Sequence, residues 1–199
     1  VAISTVSGGS ATENGTQTET ITITENESAP TITLSTSTSS VAENSGTIVT
    51  LTVTSSQAAD EDITVTLASS GTATDGTDYS SVNSSSLTIT TGTTTATKTF
   101  TITDNSIYEG NETIIVSINT VSGGGAAESE TQTETITITE NESAPTVSID
   151  VDGATSASVY DNGSNLTLTA TSTQISDEAI TVVIGTSVGG ATEGTDYAV

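Results

Sequence analysis

The chain has 199 residues, of which 25 are acidic and only one, Lys98, is basic, so its formal net charge at pH 7 is −24. This charge excludes nucleic-acid binding by phosphate neutralisation, which needs clustered Lys and Arg, and it favours cations, basic surfaces or neutral sugars as partners. Cys and His are absent, which excludes disulfides and most nucleophilic or acid–base catalytic groups, and no apolar run approaches the roughly 18 residues of a membrane span. We therefore predict that the chain is not an enzyme and has no membrane span.

A stretch of fifteen residues, TQTETITITENESAP, occurs twice without a difference, at residues 16–30 and 131–145. The two copies are 115 residues apart, which is about the size of one domain, so the sequence predicts a tandem array of repeats. Within each copy Thr alternates with Ile. This two-residue period places the Ile side chains on one face and the Thr side chains on the other, as in a half-buried β-strand.

Residues 1–29 are predicted to be the C-terminal strands of a preceding repeat. Residues 1–7 resemble residues 116–122 at the same offset of 115, which indicates a penultimate strand. The alternation around Ile21 and Ile23 predicts the strand that closes this repeat, and the Ala-Pro that follows predicts a stiff joint to the next one.

Residues 30–145 are predicted to form one complete repeat with about seven short strands and no helix. Short strands separated by turn signals at this spacing are typical of an antiparallel β-sandwich. The apolar positions that define the strands are, in chain order, Ile32 and Leu34; Leu51 and Val53; Ile63, Val65 and Leu67; Leu87 and Ile89; Phe100 and Ile102; Ile114, Val116 and Ile118; and Ile136 and Ile138.

Residues 146–199 are predicted to be the N-terminal half of a following repeat. The pattern restarts with Val147 and Ile149 and continues through Leu166 and Leu168 and then Ile180, Val182 and Ile184. A half-sandwich exposes apolar faces and sheet edges. Two explanations are open: the chain is a slice of a longer polymer, which we favour, or a neighbouring chain completes its two ends.

Acidic residues recur where the predicted strands end, and their arrangement resembles the Calx-beta family. The most specific part of that resemblance is the Gly-Thr-Asp-Tyr turn at residues 76–79, followed by Asp104 and then by Glu109 and Glu112 three residues apart. An early acid, Glu43, and the acidic knot at residues 140–142 complete the motif. The resemblance covers residues 31–142 and half of the following repeat.

The resemblance implies an all-β fold of tandem, seven-stranded, Ig-like sandwiches that bind Ca²⁺ at one pole. Calcium takes six to eight oxygen ligands, which loops at one pole of a sandwich can supply. Asn105 and Asn141 stand where strong calcium binders carry Asp, which lowers the charge of the ligand set. The alternative is that these acids are solvated loop residues that keep the surface soluble. The ligands that the resemblance implies are Glu43, Asp78, Asp104, Glu109, Glu112, Glu140 and Glu142, with Asp161 and Asp196 matching Glu43 and Asp78 in the following repeat.

Seven Asn-x-Ser/Thr sequons and four tyrosines complete the candidate sites. The sequons, at Asn14, Asn26, Asn83, Asn111, Asn141, Asn162 and Asn165, make glycosylation a hypothesis. Tyr79, Tyr108, Tyr160 and Tyr197 lie in or beside the acidic loops and are predicted to pack the sandwich ends rather than to stack on sugars.

The predicted function is structural. We interpret the chain as a segment of a large, secreted or cell-surface, adhesin-like repeat protein that builds a rod or filament, stiffened by calcium at the joints. Its partners would be neighbouring repeats of the same chain or identical subunits in a fibre. The alternative is an adhesin module that binds glycans or a host-cell protein.

Overall fold

The computed structural model describes residues 1–152 and 165–185, and these residues are almost entirely strand, turn and loop. Eleven strands are present in the described part. In chain order they are β1 (Thr31–Thr36), β2 (Ser40–Ala42), β3 (Ile48–Ser55), β4 (Ile63–Gly71), β5 (Ser86–Ile89), β6 (Thr95–Thr101), β7 (Glu112–Ser122), β8 (Ala127–Glu128), β9 (Thr133–Thr139), β10 (Val147–Val151) and β11 (Leu168–Ser172). The helical content of the described residues is one 3-10 turn, Glu43–Ser45, and no helix there could cross a membrane.

Strands β1–β9 form a sandwich of two sheets. One sheet has the order β6-β3-β1-β8 and the other has the order β2-β9-β7-β4-β5. All seven predicted strands are present, and the two additional ones, β2 and β8, are only three and two residues long. The predicted all-β Ig-like sandwich is confirmed.

The core forms because the apolar residues alternate along every long strand. In β3 each second residue is buried, and β1, β4, β7 and β9 follow the same period of two. The buried side chains from both sheets form one aliphatic cluster. The rings of Tyr79 and Phe100 are in edge-to-face contact, with 5.8 Å between their centroids, and this contact confirms the predicted packing role of Tyr79.

Gly71 allows the chain to leave β4 for the loop that carries Asp78. Its φ of +122° lies outside the range that L side chains readily adopt, and a Cβ atom at this position would be 2.1 Å from the carbonyl oxygen of Thr113. Only glycine fits there, because β4 and β7 are hydrogen-bonded neighbours up to the last pair, Gly71 with Ile114.

A third, separate sheet consists of β10 and β11, and it repeats the pairing of β1 and β3. Ile32 is opposite Ser55 in the first pair, and Val147 is opposite Ser172 in the second. The connecting contacts are repeated too. The backbone N–H of Thr31 donates to Ser56 Oγ (3.0 Å), and the N–H of Thr146 donates to Thr173 Oγ1 (2.9 Å).

The strand predicted around Ile21 and Ile23 is not formed, and this prediction was wrong. Their side chains are 73% and 93% exposed, whereas Ile136 and Ile138 in the identical stretch are 0% and 4% exposed. The reason is the neighbouring strands: β9 is hydrogen-bonded to β7 on one side and to β2 on the other. In residues 1–29 the pairing is reduced to one isolated bridge, between Ala2 and Thr18.

Two further expectations differ from the structure. Leu166 precedes β11 instead of belonging to it, and residues 180–185, which include Ile180, Val182 and Ile184, form no strand. Asp161, Asp196, Tyr160, Tyr197 and the sequon at Asn162 lie outside the described residues.

The two copies of the fifteen-residue stretch provide a matched pair of stability mutants. We expect Ile136→Ala to lower the free energy of unfolding by about 2–5 kcal/mol, because it leaves a cavity in the core. Ile21→Ala has the same sequence neighbours but an exposed side chain, so it should change the free energy by less than about 0.5 kcal/mol. Urea unfolding followed by circular dichroism measures both, and equal effects would contradict the fold described here.

Candidate metal centre

Parallel pairing of β2 with β9 brings the first acidic residues together at one pole of the sandwich. Ala42 lies opposite Thr139 where these two strands end. The next residue of each strand is a glutamate, Glu43 at the start of the 3-10 turn and Glu140 after β9. Gly46, with a φ of 62°, ends that turn. The pairing of β2 with β9 therefore places both glutamates at the same end of the sandwich.

Glu43, Glu140 and Glu142 form the first carboxylate group. Each offers an oxygen that lies within 4.8 Å of an oxygen of the other two. Glu43 is only 4% exposed, although it carries an ionisable group. The Oε2 atom of Glu142 is buried without a hydrogen-bond partner, which is costly for a carboxylate oxygen unless another ligand occupies the space beside it.

Asp78, Glu109 and Glu112 form the second carboxylate group, which meets the same criterion of 4.8 Å. Asp78 is buried in the turn after Gly71, where its Oδ2 accepts from the backbone N–H of Thr74 at 2.6 Å and its carbonyl accepts from Thr103 N at 2.8 Å. Glu112 is the first residue of β7. The second group thus combines the loop after β4 with the loop between β6 and β7.

Glu140 connects the two groups and is held as a carboxylate. Its Oε2 accepts from the backbone N–H groups of Glu109 (2.6 Å) and Gly110 (2.8 Å), and its Oε1 accepts from those of Asn141 and Glu142, both at 2.9 Å. Burial works to raise its pKa, but the backbone donors outweigh burial and lower the pKa to about 2.

The neighbouring acids have the opposite shift. Burial raises the pKa of Glu43 to about 7, and the charges of Glu140, Glu142 and Glu109 add to this effect. Burial, followed by the charges of Asp78 and Glu109, raises the pKa of Glu112 to about 7 as well. The pKa of Glu109 is also raised, mainly by burial. Without a cation, the pole therefore retains protons at neutral pH.

Three asparagines form hydrogen bonds that position the glutamates of the two groups. Asn105 donates from its side chain to Glu109 Oε2 (3.1 Å) and from its backbone N–H to Glu43 Oε1 (3.3 Å). Asn141 donates to Glu142 Oε1 at 3.0 Å, and Asn111 accepts from the N–H of Glu140 at 3.0 Å. The sequence indicated only that Asn105 and Asn141 lower the ligand charge. It did not reveal that they position carboxylates.

The structure brings together six of the seven acids predicted in the complete repeat. Asp104 is the exception: it is exposed and belongs to neither group, although its charge contributes to the raised pKa of Glu142 after the larger effect of Glu140. It points to solvent because β6 ends at Thr101 and the chain there turns into a loop. Asp161 and Asp196 lie outside the described residues.

Asp177 was not predicted from the sequence; it lies beyond β11 and approaches the second group. The backbone N–H of Tyr108 donates to the carbonyl of Ile175 (2.9 Å), and the N–H of Asp177 donates to the carbonyl of Tyr108 (3.3 Å). The charge of Asp177 contributes to the raised pKa of both Glu109 and Glu112. Asp177 matches Asp60 in the complete repeat, but the sequence could not indicate which pole this turn contacts.

Comparison with known protein families identifies the fold. The Calx-beta domain family matches residues 25–142 of this chain. The chain belongs to the Calx-beta family. A comparison with curated proteins gave no match.

The Calx-beta chain is also similar in fold to solved structures. The apo-form Calx CBD1 domain is 19% identical, with a TM-score of 0.47, over 56% of this chain and 98% of that domain. CBD12 from CALX1.2 and the calcium binding domain CBD12 of CALX1.1 are each 20% identical, with a TM-score of 0.44 over 51% of this chain. The match spans only 40% and 41% of those two longer structures.

The residues at this pole of the sandwich fit Ca²⁺ as a ligand. The donor set consists of carboxylates, and hard oxygen ligands are those that Ca²⁺ prefers. The chain has no His or Cys for softer metals. The buried, unpartnered Oε2 of Glu142 is a free ligand position in the first group.

The raised pKa values predict an unusual pH dependence in EDTA. Between the ordinary carboxyl value of 4.5 and the folded value of about 7, Glu43 and Glu112 bind more protons in the folded than in the unfolded state. Stability should therefore fall as pH rises from 5 to 7.5, by on the order of 5 °C in melting temperature. Below pH 4.5 the sign reverses, because the lowered pKa of Glu140 contributes stability that is lost toward pH 2.

The control is the double variant Glu43→Gln/Glu112→Gln, which keeps the remaining negative charges of the chain. It should flatten the dependence of melting temperature on pH between 5 and 7.5. An unchanged slope in this variant would show that overall charge repulsion, and not these two side chains, causes the effect.

Proposed function

We propose that this chain is a segment of an extracellular repeat protein whose Calx-beta units form a rod that calcium stiffens. The observation that carries the proposal is the position of the two carboxylate groups: they lie at the pole where Tyr108 contacts the residues of the following repeat. In this proposal residues 30–145 are one repeat, residues 1–29 end the preceding one, and residues 146–199 begin the next.

Calcium would replace protons at this pole. Glu43, Glu140 and Glu142 would hold one ion, and Asp78, Glu109 and Glu112 would hold a second. The ions supply positive charge where six carboxylates converge, so Glu43 and Glu112 could ionise fully. Neutralisation would also lower the repulsion between Asp177 and the second group, which favours a fixed joint.

A binding role suits Glu140 better than a catalytic one. The contrast between its pKa of about 2 and the pKa of about 7 of Glu43 resembles a general acid paired with an ionised carboxylate. Both oxygens of Glu140, however, already accept two backbone N–H groups each. These bonds keep the pKa of Glu140 at about 2, far below that of a useful general base at neutral pH, so we keep the hypothesis that the chain is not an enzyme.

Repeated local contacts support the rod. The pairing of β10 with β11 and the linker contacts of Thr146 copy those of β1, β3 and Thr31. On the other side, Gln57 Nε2 donates to the carbonyl of Ser28 at 2.5 Å, so the turn after β3 contacts the preceding linker. Units that contact their sequence neighbours in the same way would give an extended array.

The adhesin alternative has less support. Tyr79 is 1% exposed and cannot offer a ring face to a sugar, and the backbone of Tyr108 pairs with the following residues. A secreted or cell-surface location is part of the rod proposal.

Glycosylation of the sequons stays a prediction, and measurement of the intact mass tests it.

Calcium binding has a control within the same chain. In wild type we expect millimolar calcium to raise the melting temperature of the complete repeat by several degrees, because the ion binds the folded state. Glu142→Gln should remove most of this increase, since it replaces the carboxylate that carries the free Oε2 atom. Glu27→Gln makes the same change in the other copy of the fifteen residues, so it should leave the increase intact.

Differential scanning fluorimetry with and without calcium, supported by isothermal titration calorimetry, measures these effects. No stabilisation of wild type at millimolar calcium would contradict the calcium proposal. Equal losses in both variants would contradict the assignment of the site to Glu142.

Stiffening is tested separately by small-angle X-ray scattering. We expect the maximum dimension of the chain to become larger and more sharply defined when calcium replaces EDTA, because the joint at Tyr108 becomes fixed. Asp177→Asn removes one of the charges that face the second group and should reduce the difference between the two conditions. Identical scattering with calcium and with EDTA would contradict the stiffening.

A further inference from the structure

The loop between β4 and β5 contains an acid, Asp75, that belongs to neither carboxylate group. It lies in the same turn as Asp78, which is a member of the second group. The Oδ2 atom of Asp75 accepts from Ser69 Oγ at 2.8 Å, and Ser69 belongs to β4. The same atom accepts from the backbone N–H groups of Val82 (3.3 Å) and Asn83 (3.1 Å). Asp75 therefore connects the start of this loop both to β4 and to the later part of the loop.

The turn that carries Asp78 is closed by backbone contacts of Asp75 and its neighbour. Asp75 and Tyr79 form an isolated parallel bridge, and the N–H of Gly76 donates to the carbonyl of Tyr79 at 3.0 Å. The Tyr79 side chain also interacts with Ser69 and Asp75, and it is buried in the core. Asp78 thus lies between two residues that are both anchored to the body of the sandwich.

Thr74, which directly precedes Asp75, fixes the orientation of the Asp78 carboxylate. The N–H of Thr74 donates to Asp78 Oδ2 at 2.6 Å, and the N–H of Asp78 donates to the carbonyl of Thr74 at 3.0 Å. Thr74 is itself exposed, so burial of its side chain does not hold it in place. The anchor next to it, Asp75, supplies the restraint that burial does not.

Repulsion within the second group makes such a restraint necessary. The charge of Asp78 contributes to the raised pKa of both Glu109 and Glu112, after the larger effect of burial. Like charges at this distance push the loop of Asp78 away from the other two side chains. A loop that is fixed before an ion arrives does not have to be ordered by the ion, and affinity rises accordingly.

We propose that Asp75 is a positioning residue: it holds no ion itself, but it fixes Asp78 so that the second carboxylate group binds Ca²⁺. The inference rests on the proposed calcium binding and assigns part of the affinity of one site to a residue outside it. The matching position in the following repeat is Glu193, which lies outside the described residues, so an acid recurs in the sequence there.

The first test measures hydrogen exchange of backbone N–H groups by NMR in EDTA, where no ion contributes. Asp75→Ala removes the acceptor that anchors the loop. The N–H of Thr74 should then exchange at least about ten times faster, because its bond to Asp78 opens more often. Asp75→Asn keeps an oxygen acceptor and should leave this exchange within about twofold of wild type.

Asp62→Ala is the matched control at the other end of β4. Asp62 directly precedes β4, and its Oδ1 accepts from the N–H (2.7 Å) and Oγ1 (3.0 Å) of Thr91. The variant loses the same charge and the same kind of acceptor, so it should accelerate exchange at Thr91 and not at Thr74. Unchanged exchange at Thr74 in Asp75→Ala, or equal acceleration in Asp62→Ala, would overturn the proposal.

Ser69→Ala gives a milder version of the same change, in case Asp75→Ala does not fold. It removes one donor to Asp75 and leaves every charge in place. Exchange at Thr74 should be accelerated, but less than in Asp75→Ala. A folded Ser69→Ala with wild-type exchange at Thr74 would contradict the anchoring of the loop on β4.

The second test is calcium titration by isothermal titration calorimetry. Asp75→Ala should weaken the binding of one of two ions by about tenfold or more, as is usual when a residue that orients a metal ligand is removed. Asp75→Asn and Asp62→Ala should each bind both ions within about threefold of wild type. If Asp75 acted through its charge or as a ligand, Asn would weaken binding as much as Ala, and that result would overturn the positioning role.

Double variants assign the effect to the second group. In a Glu112→Gln background the second site is already impaired, so adding Asp75→Ala should change calcium affinity little. In a Glu142→Gln background, where the first site is impaired, the loss of about tenfold should remain. The reverse pattern would overturn the proposal.

Failure of this inference is distinct from failure of the proposed function. Wild type that binds no calcium would contradict the proposed function, and with it any role of Asp75 in binding. Wild type that binds two ions, with Asp75→Ala binding both equally well, would overturn the positioning role alone.

Discussion

The constraint on which the site depends is electrostatic: the fold brings six carboxylates to one pole of a chain that has a single basic residue. No Arg or Lys is available there to compensate them. The chain reduces the repulsion between these carboxylates in two other ways. Backbone N–H groups surround Glu140 and keep it ionised, while Glu43 and Glu112 retain protons to about pH 7. A divalent cation would be a third way to compensate the charge, and the carboxylate donor set fits Ca²⁺.

The two copies of the fifteen-residue stretch show which structural features form from the local sequence and which need neighbouring strands. In both copies the glutamate after the Thr-Ile alternation accepts from the next two backbone N–H groups: Glu25 does so at 3.0 and 3.2 Å, and Glu140 at 2.9 Å in both bonds. The acidic turn thus forms from its own sequence. The strand does not, because β9 needs β2 and β7 as neighbours, whereas residues 16–30 have only one isolated bridge, between Thr18 and Ala2.

Most of the sandwich could be predicted from the sequence, since alternation of Ile, Val and Leu with Thr fixes which face of each strand is buried. The resemblance to the Calx-beta family predicted which acidic residues are candidate ligands, but it did not predict how they divide into two groups. Glu140 lies between two groups because β9 pairs with β2 and β7, which are about 100 and about 20 residues away along the chain. Asp104 lies outside both carboxylate groups, and Asp177 lies near the second one. The reason is the same for both residues: contacts between segments far apart in sequence determine which loops come together.

The central claim is that Ca²⁺ takes the place of protons at this pole. The most direct measurement is calcium titration by calorimetry at pH 7, repeated in buffers with different ionisation enthalpies and again at pH 8.5. With two carboxyls of pKa about 7, binding should release about one proton at pH 7 and almost none at pH 8.5. Proton release that is the same at both pH values, or no binding at all, would contradict the account.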